Sequence, residues 1–228
     1  MKITSKMLNV WGACSDGIDL FLKHFPIGEA DYQDMLDALA EADMYSNAHW
    51  LMNHAGPTKE VREVDEINTE NHVFFAGSLV VKRGINAKDI RAGGEIKAGW
   101  GIVADWDIKV CLGIKAGHNI VAGRGIKAGW DIVAGHEIKA DNGINAKNIV
   151  AGEGIKAGED IVAGHDIVAG KGVVAGRGIV AGSSIRCGID WGIYAGVELN
   201  LSRQRSYGIV HAKELSGKVM YGLFEKVE

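Results

Sequence analysis

From Gly84 to Gly182 the chain repeats one phrase every six residues: GINAK DIRAGG EIKAGW GIVADW DIKVCL GIKAGH, and on in the same way. A large aliphatic side chain recurs at positions 85, 90, 96, 102, 108, 114, 120, 126, 132, 138, 144, 149, 155, 161, 167, 173, 179 and 185. All 18 are Ile except Val173. Ala follows two residues later in 16 of them, the exceptions being Val110 and Cys187, and Gly comes directly after in 13. A five-residue unit, GINAK, interrupts the period at 84–88 and again at 143–147.

Period six cannot belong to an α-helix, whose apolar face returns every 3.6 residues. Ile and Ala, two apart, point to the same side of a short strand. The residue between them, mainly Lys or Val, faces outward. The Gly makes the turn, either for a positive φ or for a backbone approach too close for a Cβ. Three such strands close a coil of about 18 residues, and each coil stacks on the next. The expected fold is mainly β, a single-stranded parallel β-helix fronted by a small α-helical module. The order large-x-small-Gly favours right-handed winding.

The expected divisions follow from where this phase starts and stops. Residues 1–58 read as an acidic helical module. Ser5 or Ser15 is a candidate cap, and Asp16–His24 is amphipathic through Ile18, Leu20, Phe21 and Leu22. Ala30–Ala42 carries a Tyr32, Met35, Leu36, Leu39 stripe, Ser46–His54 carries Trp50 and Leu51, and Gly56-Pro57 ends the module. Residues 59–72 read as a polar linker, or a strand leading into the first coil, with Val73 and Leu79 starting the series. The β-helix runs over 73–188. Residues 189–228, where the phase is lost, read as a β-rich C-terminal cap with strands near Trp191, Tyr194, Val197, Leu199 and Leu201 and a loop over 202–206. Arg203 and Arg205 in that loop could touch a phosphate, but an exposed loop is the simpler reading.

The A-G-x-D-I and G-I-x-A-K units resemble the β-helical repeats of bactofilins and of flagellar-assembly-A-type polypeptides. The I-K-A-G-W-G-I array, with its leader Gly12-Ala13-Cys14-Ser15-Asp16-Gly17-Ile18-Asp19-Leu20-Phe21, is similar over most of the chain to proteins of enterobacterial phages and mobile elements. The first resemblance speaks for the fold. The second implies a host-takeover or anti-defence role.

Charge is uneven along the chain: residues 1–72 carry a net −8, residues 73–186 a net +4, and the remainder none. The acidic front and weakly basic repeat disfavour direct nucleic-acid binding. Three cysteines, Cys14, Cys111 and Cys187, lie far apart without metal-type spacing and suit a reducing compartment. No apolar run reaches signal-peptide or membrane-spanning length, so the cytoplasm is the expected location and no membrane is involved.

The acidic residues Asp31, Asp34, Asp37 and Glu41, with Asp43, line one side of the second half of the module. They read as a solvated face or as a docking surface for a basic partner. Stacked coils place residues about 18 apart in columns: Trp100, His118, His136, Glu153, Lys171; Trp106, Arg124, Asn142, Glu159, Arg177; and Leu112, Trp130, Asn148, His165, Ser183. Trp100, Trp106 and Trp130 are candidate partner contacts, or residues covered by the module. Outward Val150, Val162, Val168, Val174 and Val180 are candidate self-association residues. His118, His136 and Glu153 could approach metal spacing, but a solvated column is the simpler reading. No catalytic set, metal site or cofactor is expected. Gly-rich matches lack the strand-to-helix context of a phosphate loop, and residues 85–188 have no inserted loop of the kind a hexapeptide-type acyltransferase uses. The chain is therefore expected to be a non-enzymatic interaction or structural scaffold and a homo-oligomer with an unidentified protein partner. Inhibition of a host nuclease or defence complex is the alternative, and acyl transfer a distant third.

Overall fold

The structure, a computed structural model, describes residues 1–196 and 208–227. Its body is a parallel β-solenoid with three faces, each a ladder of nine strands among the described residues. The first face runs from Val61–Val64 to Glu214–Ser216, the second from Ile67–Asn68 to Lys218–Tyr221, and the third from His72–Phe75 to Leu223–Lys226. Strand register matches like with like: Ile102 lies on Ile120, and Ala104 on Ala122. Each Ile and Ala therefore enters a continuous core, and the Ile residues from 96 to 185 are at most 1% exposed.

The glycines are needed for close approach rather than for a special dihedral. None of the corner glycines from Gly99 to Gly182 has positive φ. A Cβ on Gly117 or Gly135 would land on the carbonyl oxygen of the matching residue one coil earlier. The five-residue units omit this corner residue, and the consequence is visible one coil on. Gly164 sits over the shortened corner, where the nearest atom to an added Cβ is Lys147 Cα at 3.7 Å. The same shortening corrects the third column. Lys147, not Asn148, takes the turn position, its N–H donating to Trp130 O at 2.8 Å and its carbonyl accepting from His165 N at 2.8 Å. Asn148 instead occupies the position before Ile, where its Oδ1 accepts from Asp166 N at 3.1 Å. Asp166 accepts in turn from Ser184 N at 3.0 Å. Such rungs satisfy corner N–H groups that the strand ladder leaves free.

The rod extends past both of its expected limits. Val61–Val64 pairs with Ser78–Val81, and Ile67–Asn68 pairs with Ile85 and Asn86. Most of the stretch read as a linker is thus the first coil, hidden from the period because Arg62 stands at the position of the large aliphatic, beside Leu79, and Val64 at the position of Ala, beside Val81. At the other end, Gly192–Ala195, Ile209–Ala212 and the last three strands continue the same three faces. The described part of the C-terminal segment thus continues the rod with degenerate repeats and is not a separate cap. Val197, Leu199, Leu201, the 202–206 loop, Arg203 and Arg205 lie outside the described residues.

Four helices form the module: α1 (Ser5–Val10), α2 (Ser15–His24), α3 (Tyr32–Glu41) and α4 (Tyr45–Ala55). The caps are Thr4 and Cys14 rather than Ser5 and Ser15, because a cap keeps extended backbone and so precedes the first helical residue. Thr4 Oγ1 accepts from Met7 N at 3.2 Å. A short antiparallel pair, Lys2–Thr4 with Glu29–Asp31, ties the module's start to the entry of α3. The module has its own core around Tyr32, Leu36 and Leu51, joined to Phe74 and Ala76 of the first coil.

Replacing Gly135 by Ala should cost about 1–3 kcal/mol in unfolding free energy, as overpacking does. Cys111 and Asp141 stand at equivalent corners with side chains, so the backbone can yield and the cost stays in that range. Gly164→Ala should stay within about 0.5 kcal/mol of the parent. Chemical denaturation compares the two, and equal losses would contradict the close-approach account.

Candidate functional site: the module–rod junction and the two rod ends

The module docks on the third face at the start of the rod. Its central contact is Gln33, 7% exposed. Gln33 Nε2 donates to Phe74 O at 2.8 Å, and its Oε1 accepts from Ala76 N at 3.0 Å. One carboxamide thus serves the donor and the acceptor of an edge strand that has no preceding coil to pair with. Around it, Asp43 accepts from Lys88 Nζ at 2.6 Å and lies 2.7 Å from Nε2 of the buried His72. Arg91 donates to Asn53 Oδ1 at 2.6 Å. Tyr45 meets Phe74, His72 and Trp106 with ring centroids 5.6–6.2 Å apart. Lys88 and Arg124, one coil to either side, lie 4.8 Å and 4.3 Å from the Trp106 ring centre.

This arrangement divides the sequence candidates. Asp31 is the N-cap of α3, accepting from Gln33 N at 2.8 Å. Asp37 accepts from Gln33 Nε2 at 2.7 Å and pairs with Arg62 at 3.7 Å. With Asp43 committed to the rod, Asp34 and Glu41 are the exposed acids that remain on α3. Of the three tryptophans, only Trp106 joins the junction. Trp100 and Trp130 stand at the other two corners of the coil and are 56% and 58% exposed. A module docked on one face cannot cover three corners.

The valines do not form one patch. Val150 and Val168 stack on the first face, Val174 lies on the second, and Val162 and Val180 stack on the third. In the first His column the rings of His118 and His136 stack at 4.9 Å. Glu153 pairs with Lys171 at 3.0 Å, which holds its carboxyl below the usual range. Among the described residues no group of three His, Cys, Asp or Glu is placed to hold a metal, and no helix is long and apolar enough to cross a membrane.

Sequence reading missed the far end. Ile189, Trp191, Ile209, Met220, Leu223 and Val227 all lie in the last two coils and are exposed, Ile189 fully and Leu223 by 56%. Beneath them Leu215, Val219 and Phe224 occupy core register, opposite Ile185, Ile193 and Val210. They are only partly buried, because no described coil follows. The signal was present in the spacing of these residues, but the broken period concealed it.

The family model described as the YdhT N-terminal domain matches residues 1–55, the helical module without the rod. No curated protein matches the chain, and no solved structure matches it.

Two predictions concern the junction. Gln33→Ala leaves Phe74 O and Ala76 N unpaired and should cost about 1–3 kcal/mol, with faster hydrogen exchange at Ala76; unchanged exchange there would contradict the clasp. Asp89, 2% exposed beneath this junction, has its carboxyl pushed up to about 7 by burial. The unfolded carboxyl ionises near about 3.9. The stability gained by keeping Asp89 neutral is therefore complete below about pH 4 and is lost as pH rises to about 7. Denaturation midpoints of Asp89→Asn should show a shallower fall than the parent across that window, and parallel pH profiles would contradict the assignment.

Proposed function

We propose that the protein is a non-enzymatic scaffold that pairs with a second copy through its C-terminal coil and carries the helical module at the opposite end. The observation behind this reading is the last coil itself. Core-register Leu215, Val219 and Phe224 are only partly buried there, Met220 and Leu223 beside them are exposed, and no described strand follows on any of the three faces. An open apolar edge is a template for further pairing.

The two ends differ in a way that favours a closed pair over a filament. The starting edge is occupied by the Gln33 clasp on the third face and is rich in charge along the first face and the corner after it, through Glu60, Glu63, Asp65 and Glu66. Charged and covered edges resist addition. If only the far end is adhesive, two copies meet the same patch on each other and the assembly closes as a dimer. The non-enzymatic reading is supported by how the titratable groups are used: Asp43, Glu153 and Asp89 are each engaged in holding the module, a column or a corner.

Light scattering coupled to gel filtration should give a dimer for the full chain and a monomer for Met220→Lys with Leu223→Lys. Both side chains are exposed, so the variant keeps its fold. A monomeric parent would overturn the reading.

A further inference from the structure

The module holds an apolar cleft of about 370 Å³ that the proposed scaffold role does not use. One wall is α2 with the loop before it, and the other is formed by α3 and α4. Ala13, Leu20, Phe21, Ala38, Leu39 and Trp50 line it. The space exists because small residues, Ala13, Gly17, Ala38 and Ala42, stand where larger ones would have filled it. Cys14, His24, Ala42 and Ser46 on its lining are exposed, so the cleft is open to solvent.

Its rim is predominantly acidic. Residues three or four apart are neighbours on a helix surface. Asp34 and Glu41 therefore flank Ala38, and Asp16 and Lys23 flank Leu20. All three acids are exposed, and Lys23 is the single Lys or Arg on these two helices. The acids that pair with the rod, Asp37 and Asp43, are different ones.

We infer that this cleft binds an amphipathic helix of a partner protein, with apolar side chains at i, i+3 or i+4, and i+7 entering the cleft and Lys or Arg on the flanks meeting Asp16, Asp34 and Glu41. An open apolar groove between helices is the geometry that takes a helix face. The acidic rim selects a basic helix and repels an acidic one or an anionic lipid surface. The inference is independent of the C-terminal pairing, because the cleft lies wholly within residues 8–51.

The test uses the full chain and three synthetic peptides of about 18 residues, long enough for five turns. The first carries Leu at helical spacing flanked by Lys. The second has the same composition in scrambled order, and the third has Glu in place of Lys. Fluorescence anisotropy should show saturable binding of the first alone, weakened by added salt. Ala38→Trp, which fills the cleft, and the surface variant Asp34→Lys with Glu41→Lys should each weaken it by about tenfold or more. The double variant changes only exposed side chains, so its loss of binding cannot come from misfolding. The inference is overturned by equal binding of the scrambled or acidic peptide, or by affinity unchanged in both variants. Saturable uptake of a small apolar dye with no peptide binding would also overturn it, and would assign the cleft to a small ligand.

Discussion

Every feature of this molecule depends on one coil reproducing the one before it, backbone on backbone. Ile stacks on Ile and Ala on Ala at each of three faces, and the corners close so tightly that most have no room for a Cβ. Such a stack has no internal reason to stop. Each coil covers the core of its neighbour, so the first and last coils necessarily leave strand edges and core side chains without a partner. What the chain does at its two ends is therefore where its individuality lies.

The starting end is finished by the helical module. The carboxamide of Gln33 supplies what a preceding strand would supply, and Asp43, Arg91 and Tyr45 fix the module around it. The charge asymmetry along the sequence acquires a physical meaning here, since part of the negative charge of the module is spent on Arg62, Lys88 and His72 of the rod. The finishing end has no such cover among the described residues. Leu215, Val219 and Phe224 lie half-covered in core register, which is the basis for proposing a second copy there.

The repeat made the solenoid legible in the sequence: coil size, inward Ile and Ala, outward Lys and Val, and two of three corner columns follow from spacing alone. In the third column spacing places Asn148 where Lys147 stands, because a five-residue unit can drop either of two corner residues and spacing does not say which; His165 and Ser183 keep their places. The extent of the rod was underestimated because His72, Arg62 and Glu214 occupy strands without the Ile-x-Ala phrase. The site was less legible. Acidity on α3 is visible in the sequence, but which carboxylates face the rod depends on how the module is docked, and Gln33 carries no signal before Phe74 is seen above it. The outward valines read in the sequence as candidates for self-association. A triangular coil spreads them over three faces, and the exposed apolar residues near the far end, such as Trp191, Met220 and Leu223, belong to coils whose period is lost.

Small-angle X-ray scattering of the full chain tests the central claim about the two ends most directly. Nine coils at about 4.8 Å make a rod of roughly 40 Å. Pairing through the last coil should roughly double the longest dimension while leaving the cross-section of the particle unchanged. A particle that thickens without lengthening would place the contact on a side face. A particle with the dimensions of a single copy would show that the C-terminal coil is not an adhesive end.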